Sequence, residues 1–284
     1  MVARFTRNKI NMAESETKRF DGLERYYRPI ELCEKGTTSL FWVSAGLSVV
    51  VLYSQWIPWG AVRDIPTVIF SASVILHLVL SLYNRFHLVP EAEAKRRKQL
   101  LSDSFDIPLA PEHTQAYYNN PLAPSIQKLG ANVLENSFFA KSVCGKMAAR
   151  ERINVLIYFT VWLLAVFWSD MPFGLLIVVT QTVFSGEIIA KLVSLEVLRH
   201  RNEDLFEELY LEFLHKVDFQ SPTGTACILD AFATYEAAKA AAALKQSTKI
   251  FNELNPRLTR EWAEICDRLT MNAEYPNNAA ALDR

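Results

Sequence analysis

The sequence predicts an all-α membrane protein: four transmembrane helices arranged as two hairpins, a helical cytosolic region, and assembly as a homo-oligomer. Three observations predict it. Of the 284 residues 50% are hydrophobic, and most of these fall in four long runs. Lysine and arginine alternate sharply between the segments that separate the runs. The remaining segments carry apolar residues at helical spacing, and none reads as a sheet.

The first run, SLFWVSAGLSVVVLYSQWIPW at 39–59, has no charge. The second, IPTVIFSASVILHLVLSLY at 65–83, contains only His77. The third, INVLIYFTVWLLAVFW at 153–168, is again uncharged, and the fourth extends from Pro172 to about Leu195 with only Glu187 and Lys191 charged. A bilayer core needs about 20 mostly apolar residues as a helix. Runs one, two and four meet that length, whereas the third spans roughly 24 Å and reaches the interface with Ser169 and Asp170. Trp56, Trp59, Tyr83 and Trp168 stand at run ends, where amphipathic rings prefer to lie.

Charge sets the expected orientation. The N-terminal segment carries eight Lys and Arg, the first hairpin turn only Arg63, the segment between runs two and three ten, the SDMP turn none, and the chain after Lys191 ten more. This pattern predicts both termini and the central segment in the cytoplasm, and the two turns outside. The first 36 residues are charged and lack an apolar core, so no cleaved signal peptide is expected. The four cysteines, Cys33, Cys144, Cys227 and Cys266, have no metal spacing and are expected as free thiols.

The organisation follows: an N-terminal cytosolic helix at 1–36, a first hairpin at 37–84, a cytosolic segment at 85–152, a second hairpin at 153–195, and a helical region at 196–284. Pro29 is expected to kink the first helix. EAEAKRRKQLLSD at 91–103 continues the second membrane helix, and residues 106–124 form a Pro- and Asn-rich loop. Residues 125–152 return to helix, 194–217 extend the fourth membrane helix, and QSPTG makes a turn. An alanine-rich helix at 226–254 precedes a last helix started by Pro256.

Polar groups form stripes on three of the membrane helices: Thr37, Ser44, Ser48 and Gln55; Thr67, Ser71, Ser73, His77, Ser81 and Asn84; Thr180, Glu187, Lys191 and Ser194. Small and hydroxyl residues suit close helix packing, but the same stripes could line a conduction path. His77, Ser81, Thr180, Glu187 and Lys191 are the pore or gate candidates; packing is the favoured role for the hydroxyls, whereas His77 and Glu187 point to function because an ionisable group in lipid is costly to bury. Glu187 lies about 22 Å along its helix from Pro172, and Lys191 follows at i+4, so a helix-end ion pair competes with the gate reading.

No catalytic constellation is visible. His77, His87, His113, His200 and His215 form no metal motif, no GxSxG occurs, and no cofactor or enzymatic activity is expected. Three basic blocks stand near expected membrane ends: KRRK at 95–98, the group Lys141, Lys146, Arg150 and Arg152, and RHR at 199–201. They suit anionic headgroups or convergent phosphate recognition. Lys141, Lys146, Arg150, Arg199 and Arg201 are the nucleotide candidates, with Tyr117, Tyr118, Phe138 and Phe139 near enough in sequence to stack a base.

Four segments carry a resemblance: NKINMAESETKRFDGLERYYRPIELCEKG before the first hairpin, LLSDSFDIPL after it, YYNN at 117–120, and ENSFF at 135–139. With the second hairpin, they make residues 8–215 similar to the SMODS-associated four-transmembrane effector family of bacterial anti-phage systems. The resemblance implies an inner-membrane effector that opens a pore under control of a nucleotide second messenger, cyclic or linear, made by a partner nucleotidyltransferase. It leaves open whether the messenger opens the pore or holds it shut. It implies membrane lipids and further copies of the chain as partners, with a tetramer the expected closed assembly and no duplex nucleic acid. A non-conducting adaptor that recruits a soluble partner, and a membrane enzyme of unrecognised type, remain the alternatives.

Overall fold

The computed structural model describes residues 20–54, 60–109, 111, 114–115, 118, 120–167, 172–183 and 186–271. Residues 1–19, Gln55, Trp56, Trp59, Tyr117, Trp168 and the tail beyond 271 lie outside them, as does the side chain of Glu187. The described chain is helices joined by turns and loops, with one two-residue ladder. Strand β1 (Phe20–Asp21) pairs antiparallel with β2 (Thr114–Gln115), which the sequence does not announce.

The helices are α1 (Glu24–Ser54), α2 (Gly60–Tyr83), α3 (Val89–Phe105), α4 (Ile126–Phe167), α5 (Phe173–Val183), α6 (Gly186–Leu214), α7 (Pro222–Ala242) and α8 (Thr248–Arg268). Two stretches are long and apolar enough to cross a membrane, Glu24–Ser54 and Asp64–Phe105, and Phe173–Thr182 is a shorter apolar helix. The expected N-terminal helix and first membrane run are thus one rod, which passes through Pro29 without ending. It starts at Glu24, because Phe20–Asp21 are extended.

Helices α2 and α3 are joined by a π-helical turn at Asn84–Leu88, where the Val89 amide donates to the Asn84 carbonyl. Pro90 explains the widening. Its ring lacks an N–H and would crowd the carbonyl four residues back in an α-turn, and a π-turn relieves that crowding without ending the rod.

Helix α1 packs along α2, and α4 along α6. The N-terminal part of α4 and most of α6 are core elements. Leu129, Val133, Leu134 and Phe138 of α4 meet Leu205, Leu209 and Phe213 of α6, Ile228, Ala231 and Tyr235 of α7, and Leu258 and Trp262 of α8. Beyond residue 152, α4 changes character, and Ile153, Leu156, Ile157, Leu164 and Phe167 are exposed.

The last two helices divide differently from expectation. Helix α7 begins within QSPTG, where Ser221 caps it by accepting from the Gly224 amide and Pro222 fills its first turn. It ends at Ala243, left-handed at φ 47. Ser247 then caps α8 by accepting from the Ile250 amide, so Pro256 lies inside α8 rather than at its start. Gly224 is held by backbone. A Cβ there would lie 2.8 Å from the Phe219 Cα and closer still to the Asp218 carbonyl oxygen. Gly224→Ala is expected to lower unfolding free energy by about 1–3 kcal/mol, read by denaturant titration of the full chain in detergent. A change below about 0.5 kcal/mol would show that the turn can shift freely.

Candidate functional site

The sequence-nominated membrane residues sit at separate helix contacts. His77 of α2 places Nδ1 3.1 Å from the Thr37 carbonyl of α1, so that nitrogen donates across the α1–α2 seam, with the Phe41 ring 6.3 Å away. The Thr180 hydroxyl of α5 accepts from Trp162 Nε1 of α4 at 2.9 Å and donates to the Leu176 carbonyl. Lys191 of α6 meets Glu151 of α4 at 2.5 Å, and the helix-end pair with Glu187 falls on a side chain outside the described residues. Ser81 is half-buried on α2. The hydroxyls of Ser48 and Ser71 return to carbonyls of their own helices, as packing residues do. In the single chain, His77, Thr180 and Lys191 stitch different pairs of helices together.

Four of the nominated basic residues, Lys141, Lys146, Arg150 and Arg199, have carboxylate or ring partners. Glu253 of α8 meets Lys146 at 2.5 Å and Arg150 at 3.4 Å, and Lys146 beside it holds its carboxyl below the usual range. Arg152 lies 2.5 Å from Glu196, while Arg199 reaches Glu203 at 3.4 Å and Glu196 at 4.0 Å. The Lys141 ammonium sits 3.7 Å over the Phe206 ring, and partial burial lowers its pKa against the pull of Glu203 and Glu207. Arg201 is exposed. None of the five nucleotide candidates lines the molecule's large cavity. Local sequence clustering put them together, but the carboxylate that neutralises Lys146 and Arg150 comes from α8, far along the chain, whereas Arg199 is paired within its own helix.

The cavity itself encloses about 1060 Å³, at the top of the range for small-molecule sites. Helix α1 supplies Glu24, Arg25, Tyr27, Arg28 and Glu31; α3 supplies Glu93, Arg96 and Leu100. Tyr118, Asn136 of α4 and Leu198 of α6 complete one side. Tyr235, Glu236 and Lys239 of α7, residues 244–246, and Phe251, Asn252 and Asn255 of α8 form the other.

The short motifs converge on this space. LERYYRPIEL supplies the α1 wall, LLSDSF Leu100, YYNN Tyr118, and ENSFF Asn136, whose amide donates to the Tyr118 hydroxyl at 3.2 Å. The motif residues Asp103, Ser104 and Asn120 brace the cavity by meeting on Asn132, which precedes ENSFF. Asn132, fully buried, accepts from Asn120 at 2.6 Å and donates to Asp103 and Ser104 at 3.0 Å. One amide thus ties α3, the loop and α4 together with both donors and its acceptor used.

The lining alternates cations, carboxylates and rings. The Tyr27 hydroxyl donates to Glu93 at 3.2 Å, and its ring has the Arg96 guanidinium at 5.4 Å and the Lys245 ammonium at 5.6 Å. Lys239 lies 2.5 Å from Glu93 and 3.3 Å from Glu236, and Lys245 pairs with Glu31. Burial opposes the charge on Lys239, but attraction to the anionic form of Tyr235 and to the carboxylates of Glu93 and Glu236 outweighs it and holds the pKa well above the ordinary lysine value. From the KRRK block, Arg96 lines the cavity, Lys95 stands 5.4 Å over the Tyr26 ring, and Arg97 reaches Glu236 at 3.8 Å.

Rings beside guanidinium and ammonium groups suit a ligand that is both planar and anionic. Sequence reading missed Glu93, Glu236, Lys239 and Lys245. Glu236 and Lys239 gave a signal, as an i,i+3 pair of charges in an otherwise alanine-rich stretch. Among the described residues, no group of three or more His, Cys, Asp or Glu could hold a metal. The chain matches no known family model, no curated protein and no solved structure.

Proposed function

We propose that the protein is a non-enzymatic membrane effector of a bacterial anti-phage system, whose cytosolic cavity takes a nucleotide second messenger from a partner nucleotidyltransferase. One observation carries the reading: the four short segments that resemble the effector family, scattered over more than a hundred residues, meet around one cavity lined by tyrosines and arginines. Phosphate oxygens would meet the Arg25, Arg28 and Arg96 side, and a base would stack on Tyr27, Tyr118 or Phe251.

In this reading all four apolar runs cross the inner membrane, with both termini in the cytoplasm. The exposed apolar flank of α4 beyond residue 152 and the apolar α5 support the second hairpin, since such a surface is not left in water. Four helices per subunit cannot enclose a wide aqueous path, so several copies surround the pore. The dispersal of His77, Thr180 and Lys191 over different seams favours a lumen between subunits over one within a subunit.

The test is ion flux from liposomes carrying the purified full chain, with and without cyclic and linear oligonucleotides. A nucleotide-dependent change in flux is expected. Nucleotide binding without conductance in any condition would favour the adaptor reading, and neither binding nor flux would sink the effector reading.

A further inference from the structure

Two ion pairs in the cavity wall join parts of the chain far apart in sequence. Lys245, in the turn between α7 and α8, holds Glu31 of α1. Lys239 of α7 holds Glu93 of α3 at 2.5 Å. Tyr27 stands between them, with its hydroxyl on Glu93 and its ring beside Lys245. Glu31 precedes the first apolar run on the same helix. Glu93 follows the second run on the same continuous rod, five residues beyond the π-turn. Both lysines belong to the C-terminal layer, and both carboxylates belong to the two helices that are long and apolar enough to cross a membrane.

We propose that these pairs form an anion-released latch: a phosphate-bearing ligand in the cavity competes with Glu31 and Glu93 for the ammonium groups of Lys245 and Lys239, freeing α1 and α3 from the α7–α8 layer. The inference rests on the ligand reading above and adds how occupancy reaches the membrane rods. The physical basis is exchange of one anion for another. An ammonium is a compact point charge with three rotatable donors, and it can turn from a carboxylate to a phosphate without backbone movement. The displaced carboxylate is then left beside the ligand's negatively charged phosphate, and repulsion drives it and its helix away. The release acts on both rods together because Tyr27 links the two pairs.

The two rods differ in their freedom to respond. Glu31 is on an uninterrupted α-helix, so movement there is carried rigidly toward Thr37, whose carbonyl holds His77. Glu93 acts across the π-turn at Asn84–Leu88, where the backbone ladder is already wider than α and can re-register.

The experiment uses the full chain in phosphatidylcholine nanodiscs and inorganic pyrophosphate as the probe. Calorimetry should show Glu31→Gln binding pyrophosphate about fivefold more tightly than the parent, because a competing anion has been removed. Unchanged or weaker binding overturns the latch. Hydrogen exchange on the parent protein gives a second reading that needs no variant. Pyrophosphate should lower amide protection at 24–31 and raise it at 244–248, whereas a site that only closes on its ligand would raise both, and that result overturns the proposal. If neither protein binds pyrophosphate the latch is also wrong, while nucleotide-dependent flux in liposomes judges the ligand reading separately. Repeating the exchange measurement in phosphatidylglycerol discs without pyrophosphate separates the sources of phosphate. The same loss at 24–31 there would assign the release to a lipid headgroup, and its absence to a soluble anion.

Discussion

Trp262→Ala is expected to cost about 3–5 kcal/mol, a large share of the 5–15 kcal/mol that holds a typical domain together. Trp262 is 0% exposed and sits in the cluster where α4, α6, α7 and α8 meet, 6.1 Å from the Phe138 ring. Its loss opens a cavity that four helices would have to close at once. The indole also carries a peculiarity: among the described residues, its buried Nε1–H meets no acceptor. An unsatisfied buried donor costs about 1–3 kcal/mol, so Trp262→Phe removes that penalty while losing some contact area. The phenylalanine variant should therefore fall within about 1–1.5 kcal/mol of the parent. Guanidinium unfolding of the full chain in detergent, followed by far-UV circular dichroism, reads both. Equal losses in the two variants would mean that Nε1–H has a partner in the folded protein.

That tryptophan belongs to the stretch least readable in the sequence. The two long apolar rods and the continuation through KRRKQLLSD announced themselves by length, composition and periodicity. The C-terminal helices gave weaker signals. Helix α7 stops at Ala243 in a left-handed conformation, where glycine or asparagine would have marked the end. Ser247, a well-formed cap, was hidden by the stronger conventional signal of Pro256 nine residues later. The cavity was half legible. Its α1, loop and α4 walls were visible as motifs, whereas Glu93, Lys239 and Lys245 become a cluster only when α7 folds back over α3. Adjacent basic residues such as Lys146 and Arg150 read as an anion site. Their neutraliser, Glu253, comes from more than a hundred residues away, and no local pattern encodes it.

The second large effect falls on Lys239. Its side chain is 13% exposed and lies between Glu93 and Glu236, with side chains 21% and 12% exposed. Lys239→Met leaves Glu93 without this partner, while Glu236 keeps Arg97 at 3.8 Å. Breaking a buried pair by removing one member costs about 3–5 kcal/mol, because the remaining charge is stranded. The Arg97 contact places the expected loss near the lower end. Adding Glu93→Gln to Lys239→Met should return part of it, about 1–2 kcal/mol, since an amide is cheaper to bury than a carboxylate. The pH dependence has a definite sign. Lys239 titrates above its unfolded value of about 10.4, so its contribution is fully present below about pH 10 and fades as pH rises through the folded pKa. The stability difference between the parent and Lys239→Met should therefore be flat from neutral to about pH 10 and shrink above it. A Lys239→Met variant within about 0.5 kcal/mol of the parent at neutral pH, or a difference that grows at alkaline pH, would mean that water rather than Lys239 balances those carboxylates.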